Sequence, residues 1–343
     1  MALITELQFI WFSIFVILVT GYVLLDGFDL GVGMVHLFSK EDHERRVMLN
    51  SIGPVWDGNE VWLVTAGGAL FAGFPAVYAT LCSAFYIPVM ILLTGLIFRA
   101  VAIEVRSKQP MPWWRWTWDI LFSFASFVIA LAMGLAVGNL IRGIPLDEQG
   151  EFIGDVTDML DPYSLLIGVM AVGLLFMHGS IFLLLKTEGS LHDKIRNRVN
   201  PSIVFFIITY VAATMATLIY QPHMVEAFKQ RPFFFLIGLV DILIIANIPR
   251  EISRGKDGFA FISSCLNIIC LMALYGIGTY PNVVRAINAP DTLSLTIYNS
   301  ASSLATLEIL LVIAIIGVPM VIAYTCAVYW IFHGKVKMDT HSY

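Results

Sequence analysis

Nine stretches of mostly apolar residues follow one another along this chain of 343 residues. A helix needs about 20 apolar residues to cross a bilayer, because the hydrocarbon core is about 30 Å thick and a helix rises about 1.5 Å per residue. Only 13% of the residues are charged, against about 25% in a soluble domain. We therefore predict an all-α polytopic membrane protein, a bundle of nine transmembrane helices forming a single domain over residues 1–343. The predicted crossings are 7–36, 54–74, 76–98, 114–140, 162–185, 201–221, 233–249, 258–281 and 303–332.

The second crossing is the least apolar of the nine. Its uncharged run, residues 61–74, would cover only about 21 Å as a helix, so it spans only if Asp57 and Glu60 enter the membrane with it. The positions of the Lys and Arg residues test the number of crossings, because cytoplasmic loops carry an excess of these residues. With nine crossings, sixteen of the twenty Lys and Arg residues fall on one side. This separation places the N terminus outside and the C terminus in the cytoplasm.

Several functional classes lack support in the sequence. The net charge is −5 and there is no long basic run, so nucleic acid is not expected as a partner. The four cysteines lie in apolar stretches without Cys-x-x-Cys spacing, which is typical of buried hydrophobic residues rather than of a metal site. Phosphate-binding glycine loops, a Ser-His-Asp set and a His-Glu-x-x-His motif are also missing from the sequence. We therefore expect no metal site and no catalytic residue of the soluble-enzyme kind in this chain.

Acidic residues occur inside the predicted membrane helices, where carboxyl groups are costly and usually functional. They gather toward the predicted cytoplasmic ends of the first four crossings: Asp26, Asp29, Asp57, Glu60, Glu104 and Asp119. One hypothesis is structural, because such carboxylates can cap helix ends or pair with nearby arginines. The other is a hydrated entry for protons or cations. For Asp57 we favour the proton entry, because it is expected to face glycines and a tryptophan within a crossing; for Asp29, Glu60 and Asp119 both hypotheses stay open.

His178 is the histidine that lies deepest inside a predicted crossing. Histidine is the commonest axial ligand of haem iron, so a haem at this position is one hypothesis. A polar contact between helices is the interpretation that we favour. The sequence shows no paired set of buried histidines, and we therefore do not expect this chain to hold several haems by itself.

Three segments carry a resemblance to a known family. They are Asp-Gly-Phe-Asp-Leu-Gly-Val-Gly-Met at 26–34, the stretch 45–71 that contains Trp56-Asp57-Gly58-Asn59-Glu60, and Phe-Arg-Ala-Val-Ala-Ile-Glu-Val-Arg-Ser-Lys at 98–108. In these segments, and in the number and order of its crossings, the chain resembles subunit II of the cytochrome bd-type quinol oxidases. The first hundred or so residues carry the specific motifs, and the resemblance is weaker in the second half of the chain.

The resemblance implies a respiratory complex of the bacterial cytoplasmic (inner) membrane that oxidises quinol and reduces O2 to water. In that family two b-type haems and one d-type haem, and quinol oxidation as well, belong to the homologous subunit I. The present subunit would pack against it and supply a proton path from the cytoplasm. By position, Trp56 and Asp57 match the family's proton-path pair, Asp26 and Asp29 match its acidic first-helix motif, and Glu104 matches a position that carries an acid.

Two positions depart from some relatives, because Glu60 and His178 occupy places where relatives can have Gln. We expect Glu60 to add to the proton path if it titrates. The resemblance also allows a structural quinone in this subunit and small single-helix subunits in the complex. Neither has a motif of its own in this sequence.

The sequence leaves two alternative functions open. A proton- or cation-coupled secondary transporter would also have acids in the membrane, but near the midplane and beside broken helices. Here the acids lie toward one side, and the clearest break, Gly53-Pro54, falls at the start of a helix. The other alternative is a membrane subunit that is purely structural and conducts no protons.

Overall fold

The structure is a computed structural model, and it describes residues 2–338. Long helices account for most of the described chain. In order they are α1 (Ala2–His36), α2 (Asp42–Ile52), α3 (Trp56–Gly73), α4 (Pro75–Ala84), α5 (Tyr86–Val105), α6 (Pro112–Arg142), α7 (Pro162–Lys186), α8 (Gly189–Tyr220), α9 (Glu226–Gln230), α10 (Phe235–Ser253), α11 (Asp257–Thr279), α12 (Pro290–Leu293) and α13 (Leu304–Ile331). Two short strands, β1 (Asn282–Val284) and β2 (Leu295–Thr296), pair antiparallel between α11 and α13.

Local signals in the sequence explain where several helices begin. Proline is the first residue of α6 and of α7, a position that suits it because the missing N–H would have no partner there. Asp161 caps α7 by accepting a hydrogen bond from the backbone N–H of Tyr163 at 3.0 Å. Ser303 caps α13 in the same way through the backbone N–H of Thr306. Each cap satisfies a backbone donor that a helix end leaves free.

Eight of the described helical segments are long and apolar enough to cross a membrane: 3–36, 86–108, 112–142, 162–186, 189–220, 232–253, 257–279 and 304–331. Helix α3 is not among them, because its first turns contain Asp57, Asn59 and Glu60. The prediction of an all-α polytopic membrane protein is confirmed.

Helix α3 nevertheless runs the depth of the bundle, antiparallel to α1. At one end, Asn59 donates a hydrogen bond to Asp29 at 2.7 Å and accepts one from Tyr329 near the end of α13 at 3.0 Å. At the other end, the backbone O of Gly73 accepts a hydrogen bond from Ser302, just before α13 begins, at 2.9 Å. Helix α3 thus contacts α13 near both of its ends, and α13 is itself long enough to span the membrane. We therefore count α3 as the ninth crossing.

The third crossing differs in its bounds from the predicted 76–98. The structure divides this region into the short α4 and the longer α5, with Phe85 between them. Pro88 lies in the first turn of α5 and has no N–H with which to continue the bonding pattern of α4. The uninterrupted crossing therefore begins at Tyr86 and continues past residue 98, so that Arg99 and Glu104 lie within the helix.

The loops collect at two opposite ends of the bundle. At one end, Lys194 bonds Glu44 at 2.6 Å, and Arg198 bonds the backbone O of Phe38. At the other end, Arg285 bonds the backbone O of Arg142. We call the first the cation-rich end, since it holds the sixteen cations that the sequence assigned to one side. The orientation of this end toward the cytoplasm stays a prediction.

Glycine permits a close helix contact between α1 and α7. A Cβ on Gly31 would lie 2.1 Å from the backbone O of Leu175 and 2.7 Å from the backbone of Gly179. These are backbone atoms that cannot rotate away, so the two helices can approach this closely only without side chains. The contact holds α1, which carries two of the predicted site residues, in a fixed position.

Candidate functional site: a carboxyl cluster at the cation-rich end

Three helices meet around a buried arginine. Arg99 of α5 is fully buried and donates from Nη1 to Asp26 Oδ2 of α1 at 3.0 Å and from Nη2 to Asp26 Oδ1. The same Nη2 donates to Glu60 Oε1 of α3 at 2.6 Å. Glu60 keeps 21% of its side chain exposed, whereas Asp26 is fully buried. The cluster therefore connects the interior of the bundle with the surface of α3.

Asp29 lies one turn beyond Asp26 and is also fully buried. Its Oδ2 accepts the hydrogen bond from Nδ2 of Asn59, whose side-chain oxygen accepts one from Tyr329 of α13. Within residues 2–338, Asp29 Oδ1 has no hydrogen-bond partner. The two buried acids of α1 thus differ, since Asp26 is paired with a cation and Asp29 contacts an amide.

Asp57 is exposed on the outer face of α3. The sequence predicted that it would face glycines and a tryptophan, but the helical period places it on the same face as the exposed Val61 and Val64. Trp56 is half-buried and packs on the main hydrophobic core. Asp57 and Glu60 are three residues apart, so the exposed carboxyl lies one helical turn from the carboxyl that reaches Arg99.

Glu104 is exposed near the end of α5, five residues beyond Arg99, which is about 7.5 Å along a helix axis. The acids that the sequence places toward one side of the bundle therefore do not all contact one another. Glu60 and Asp26 share Arg99, Asp29 lies beside them, and Asp57 and Glu104 occupy the surface of the chain.

Asp119 belongs to a second buried network at the cation-rich end. Its carboxylate accepts hydrogen bonds from Arg45 at 2.7 Å and from Nε of Arg106 at 2.6 Å, and it also contacts His36. It thus pairs with two arginines, which is the structural interpretation that the sequence left open. Asp26 and Glu60 likewise pair with an arginine, but with one cation for two carboxyls.

The ratio of two carboxyl groups to one arginine decides what the Arg99 cluster can do chemically. Two carboxylates and one guanidinium carry a net charge of −1, and a net charge is costly in a low-dielectric interior. One bound proton would balance the cluster. The arrangement can therefore hold and release a proton close to the exposed Asp57.

Comparison with known proteins identifies the family. Residues 7–332 match the family model described as cytochrome bd terminal oxidase subunit II. The chain is 32% identical over 372 residues to "Cytochrome bd-I ubiquinol oxidase subunit 2" of Escherichia coli (strain K12), with 98% of each chain covered. It is 33% identical over 333 residues to "Cytochrome bd ubiquinol oxidase subunit 2" of Bacillus subtilis (strain 168), with 97% of each covered.

The chain belongs to the cytochrome bd terminal oxidase subunit II family. It is therefore a multi-pass membrane subunit of a bacterial respiratory terminal oxidase, and the resemblance seen in the sequence is confirmed. The fold agrees with this assignment. A chain from "The structure of bd oxidase from Geobacillus thermodenitrificans" superimposes with a TM-score of 0.78 at 17% identity, over 95% of this chain and 98% of that one.

His178 offers no free nitrogen to a haem in this cytochrome bd subunit II. The ring is fully buried, its Nδ1 lies 2.8 Å from Ser264 Oγ, and its Nε2 lies 3.0 Å from the backbone O of Leu24. An axial ligand needs an unprotonated nitrogen directed at the iron, and here both nitrogens already bond to neighbouring helices. The geometry supports the polar contact between helices that the sequence analysis favoured.

A buried acid in the middle of a crossing escaped the sequence analysis. Asp241 of α10 is fully buried, and it accepts hydrogen bonds from Asn267 at 2.7 Å and from Tyr210 at 3.2 Å. The structure gives it no salt bridge among residues 2–338. Its position in the middle of the apolar run 233–249 was the available signal, because an isolated ionisable residue in a crossing is a candidate site by default.

Proposed function

We propose that this chain pairs with the haem-bearing subunit I of a bd-type oxidase and supplies a proton-uptake path from the cytoplasm for the reduction of O2 to water by quinol. The observation that carries the proposal is the position of Asp57. It is an exposed carboxyl in the first turn of a crossing, and one turn later Glu60 reaches the buried Arg99 cluster.

The outer face of α3 suits a protein neighbour better than lipid. It presents Asp57, Thr65 and glycine beside Val61, Val64 and Phe71, and a carboxyl exposed to hydrocarbon would be costly. Gly58 lies on the side of Asp57 toward α13, where its nearest neighbour is Tyr324. We assign this face to the contact with subunit I, so that Asp57 lies at the boundary between the two subunits.

The path uses the carboxyl groups in order of exposure. Asp57 exchanges protons with water at the cation-rich end and passes them across the boundary to subunit I. Glu60, which is half-buried, can exchange with Asp57, and it is held in place by Arg99, which also bonds Asp26. The Arg99 cluster can store one proton without creating net charge, which keeps Asp57 supplied.

The haems supply the redox chemistry, and we assign two b-type haems and one d-type haem to subunit I. The relatives from Escherichia coli and Bacillus subtilis are named as ubiquinol oxidases, and we propose a quinol as the reductant of this complex as well. A structural quinone in this chain and small single-helix partners stay predictions of the family resemblance.

The variant Asp57→Asn in the purified two-subunit complex tests the proposal. The amide keeps the size and polarity of the side chain but cannot carry a proton. We expect quinol-driven O2 uptake to fall about tenfold, which corresponds to about 1.4 kcal/mol on the barrier, with unchanged haem absorption. The matched control is Asp193→Asn, because Asp193 is an 80% exposed acid at the cation-rich end, and it should leave the rate unchanged.

The alternatives give different results in the same experiment. Unchanged turnover of Asp57→Asn would favour a purely structural subunit and contradict the proton path. Loss of subunit I or of the haem bands would mean that Asp57 serves assembly. A secondary transporter would take up a solute when this chain is reconstituted alone in vesicles, and family membership leaves that hypothesis without support.

A further inference from the structure

A cavity lies at the cation-rich end, apart from the Arg99 cluster. It has a volume of about 580 Å³ and opens between the segment that follows α1 and the start of α6. Four cations line it, and they come from three separate parts of the chain: Lys40, Arg45, Arg106 and Arg115. The proton path proposed above uses none of these residues.

Positive charge is in excess in this cavity. The two acids that line it, Asp42 and Asp119, already bind the arginines: Asp119 accepts from Arg45 and Arg106, and Asp42 accepts from Arg106 and Arg115 at 2.8 and 2.9 Å. Four cations against two carboxylates leave two positive charges unbalanced. An anion with one or two negative charges would complete the set.

The bonding pattern of Arg106 provides independent support for a ligand site. The residue is only 2% exposed, yet its Nη1 has no hydrogen-bond partner among residues 2–338. A buried guanidinium N–H without an acceptor is costly. A phosphate oxygen in the cavity that Arg106 lines would satisfy it, since arginine and phosphate form short charge-assisted hydrogen bonds.

The start of α6 adds to the attraction for an anion. The helix begins at Pro112, and Pro112 and Trp113 both line the cavity. The first N–H groups of a helix have no intrahelical partner and form the positive end of its dipole. A phosphate near this turn would be favoured by the helix as well as by the side chains.

Two tryptophans indicate where the anion comes from. Trp113 and Trp116 line the cavity and are 61% and 60% exposed. Exposed tryptophans at the end of a membrane helix lie at the level of the lipid headgroups. The cavity therefore opens where a phospholipid carries its phosphate, with apolar rings available for the start of its acyl chains. We propose that this cavity binds the phosphate headgroup of an anionic phospholipid.

Titration of lipid onto the delipidated two-subunit complex tests the site, with binding followed by native mass spectrometry. Phosphatidylglycerol should bind to the wild type, and phosphatidylcholine, which has no net charge, should not. The test variant is Lys40→Gln combined with Arg115→Gln. Each juxtamembrane cation contributes about fivefold to binding, so the variant should bind phosphatidylglycerol about 25-fold more weakly.

The control variant is Lys256→Gln combined with Arg254→Gln. These two cations lie at the same end of the bundle, outside the cavity. Arg254 pairs with Glu251 much as Arg115 pairs with Asp42. The control should bind phosphatidylglycerol within about twofold of wild type. If the test variant fails to assemble, Lys40→Gln alone should still weaken binding about fivefold.

Three results would overturn the proposal. The test variant could bind phosphatidylglycerol as tightly as the control does. Phosphatidylcholine could bind as well as phosphatidylglycerol, which would show that charge is not recognised. Inorganic phosphate could occupy the site as well as the lipid does, which would assign the cavity to a soluble anion.

Discussion

Replacing Arg99 with leucine gives the sharpest test of the buried carboxyl cluster. The side chain is fully buried, and it donates two hydrogen bonds to Asp26 and one to Glu60. Without it, Asp26 becomes a buried carboxyl with no cation. Breaking a buried ion pair from one side costs about 3–5 kcal/mol. The cost of leaving Glu60 without its cation is smaller, because part of its side chain is exposed to water.

A second substitution should restore much of this loss. Arg99→Leu combined with Asp26→Asn removes both the buried cation and the carboxylate that it pairs with. We expect the double variant to be more stable than Arg99→Leu alone, with a coupling free energy of about 0.5–3 kcal/mol, as for residues in direct contact. The single variant should lower the midpoint of thermal unfolding by on the order of 5–10 °C.

The assay is loss of haem absorbance from the purified complex on heating, measured for the wild type, both single variants and the double variant. Arg254→Leu serves as the control, because Arg254 is 48% exposed in its pair with Glu251 and such pairs contribute about 0–1 kcal/mol. If the double variant is no more stable than Arg99→Leu, the charge argument is wrong and the arginine acts through packing alone.

Three further predictions follow from single contacts. Gly31→Ala should destabilise the complex strongly, because its Cβ would collide with the backbone of α7, whereas Gly238→Ala, with open space around it, should be neutral in the same thermal assay; equal effects would contradict the close contact. Burial opposes ionisation of Glu44 in α2, but hydrogen bonds from Lys194 and Ser39 outweigh it and hold the pKa of Glu44 below its usual value. The stability that Glu44 adds should therefore be present at neutral pH and lost as the pH falls below the ordinary range of a carboxyl; thermal midpoints of wild type and Glu44→Gln should converge in acid, and a constant difference would refute this. Asp241→Asn should be tolerated, whereas Asp241→Ala should cost about 1–3 kcal/mol by leaving the buried Asn267 and the half-buried Tyr210 without their acceptor; equal stability of the two variants would show that these hydrogen bonds are unimportant.

Sequence reasoning was most reliable where a property depends on residues that are neighbours along the chain. Runs of about 20 apolar residues indicate crossings, because each helix satisfies its own backbone hydrogen bonds within the membrane. The break at Gly53-Pro54 was placed correctly, since α3 begins at Trp56. The break at Phe85 was missed, because Pro88 lies in a stretch that is otherwise uniformly apolar and carries no charge to mark a boundary.

The candidate site was only partly predictable. The three-residue spacing of Asp26 and Asp29 indicated one helix face, and both are buried in the structure. Their partners could not be inferred, because Arg99 and Asn59 come from other helices. The same spacing linked Asp57 with Glu60 but could not show which of them points outward, since that depends on how α3 is rotated against α1.

By itself, the sequence determined the class of the protein, the approximate positions of its apolar helices, and the family. All of these depend on local composition and on motifs that are contiguous in the chain. Only the tertiary structure decided that Arg99 joins Asp26 to Glu60, that Asp57 lies on the outer surface, and that four cations surround one cavity near Trp113. Such facts depend on rotations and contacts between distant helices, and a nearly uniform apolar sequence carries little periodicity from which a rotation could be read.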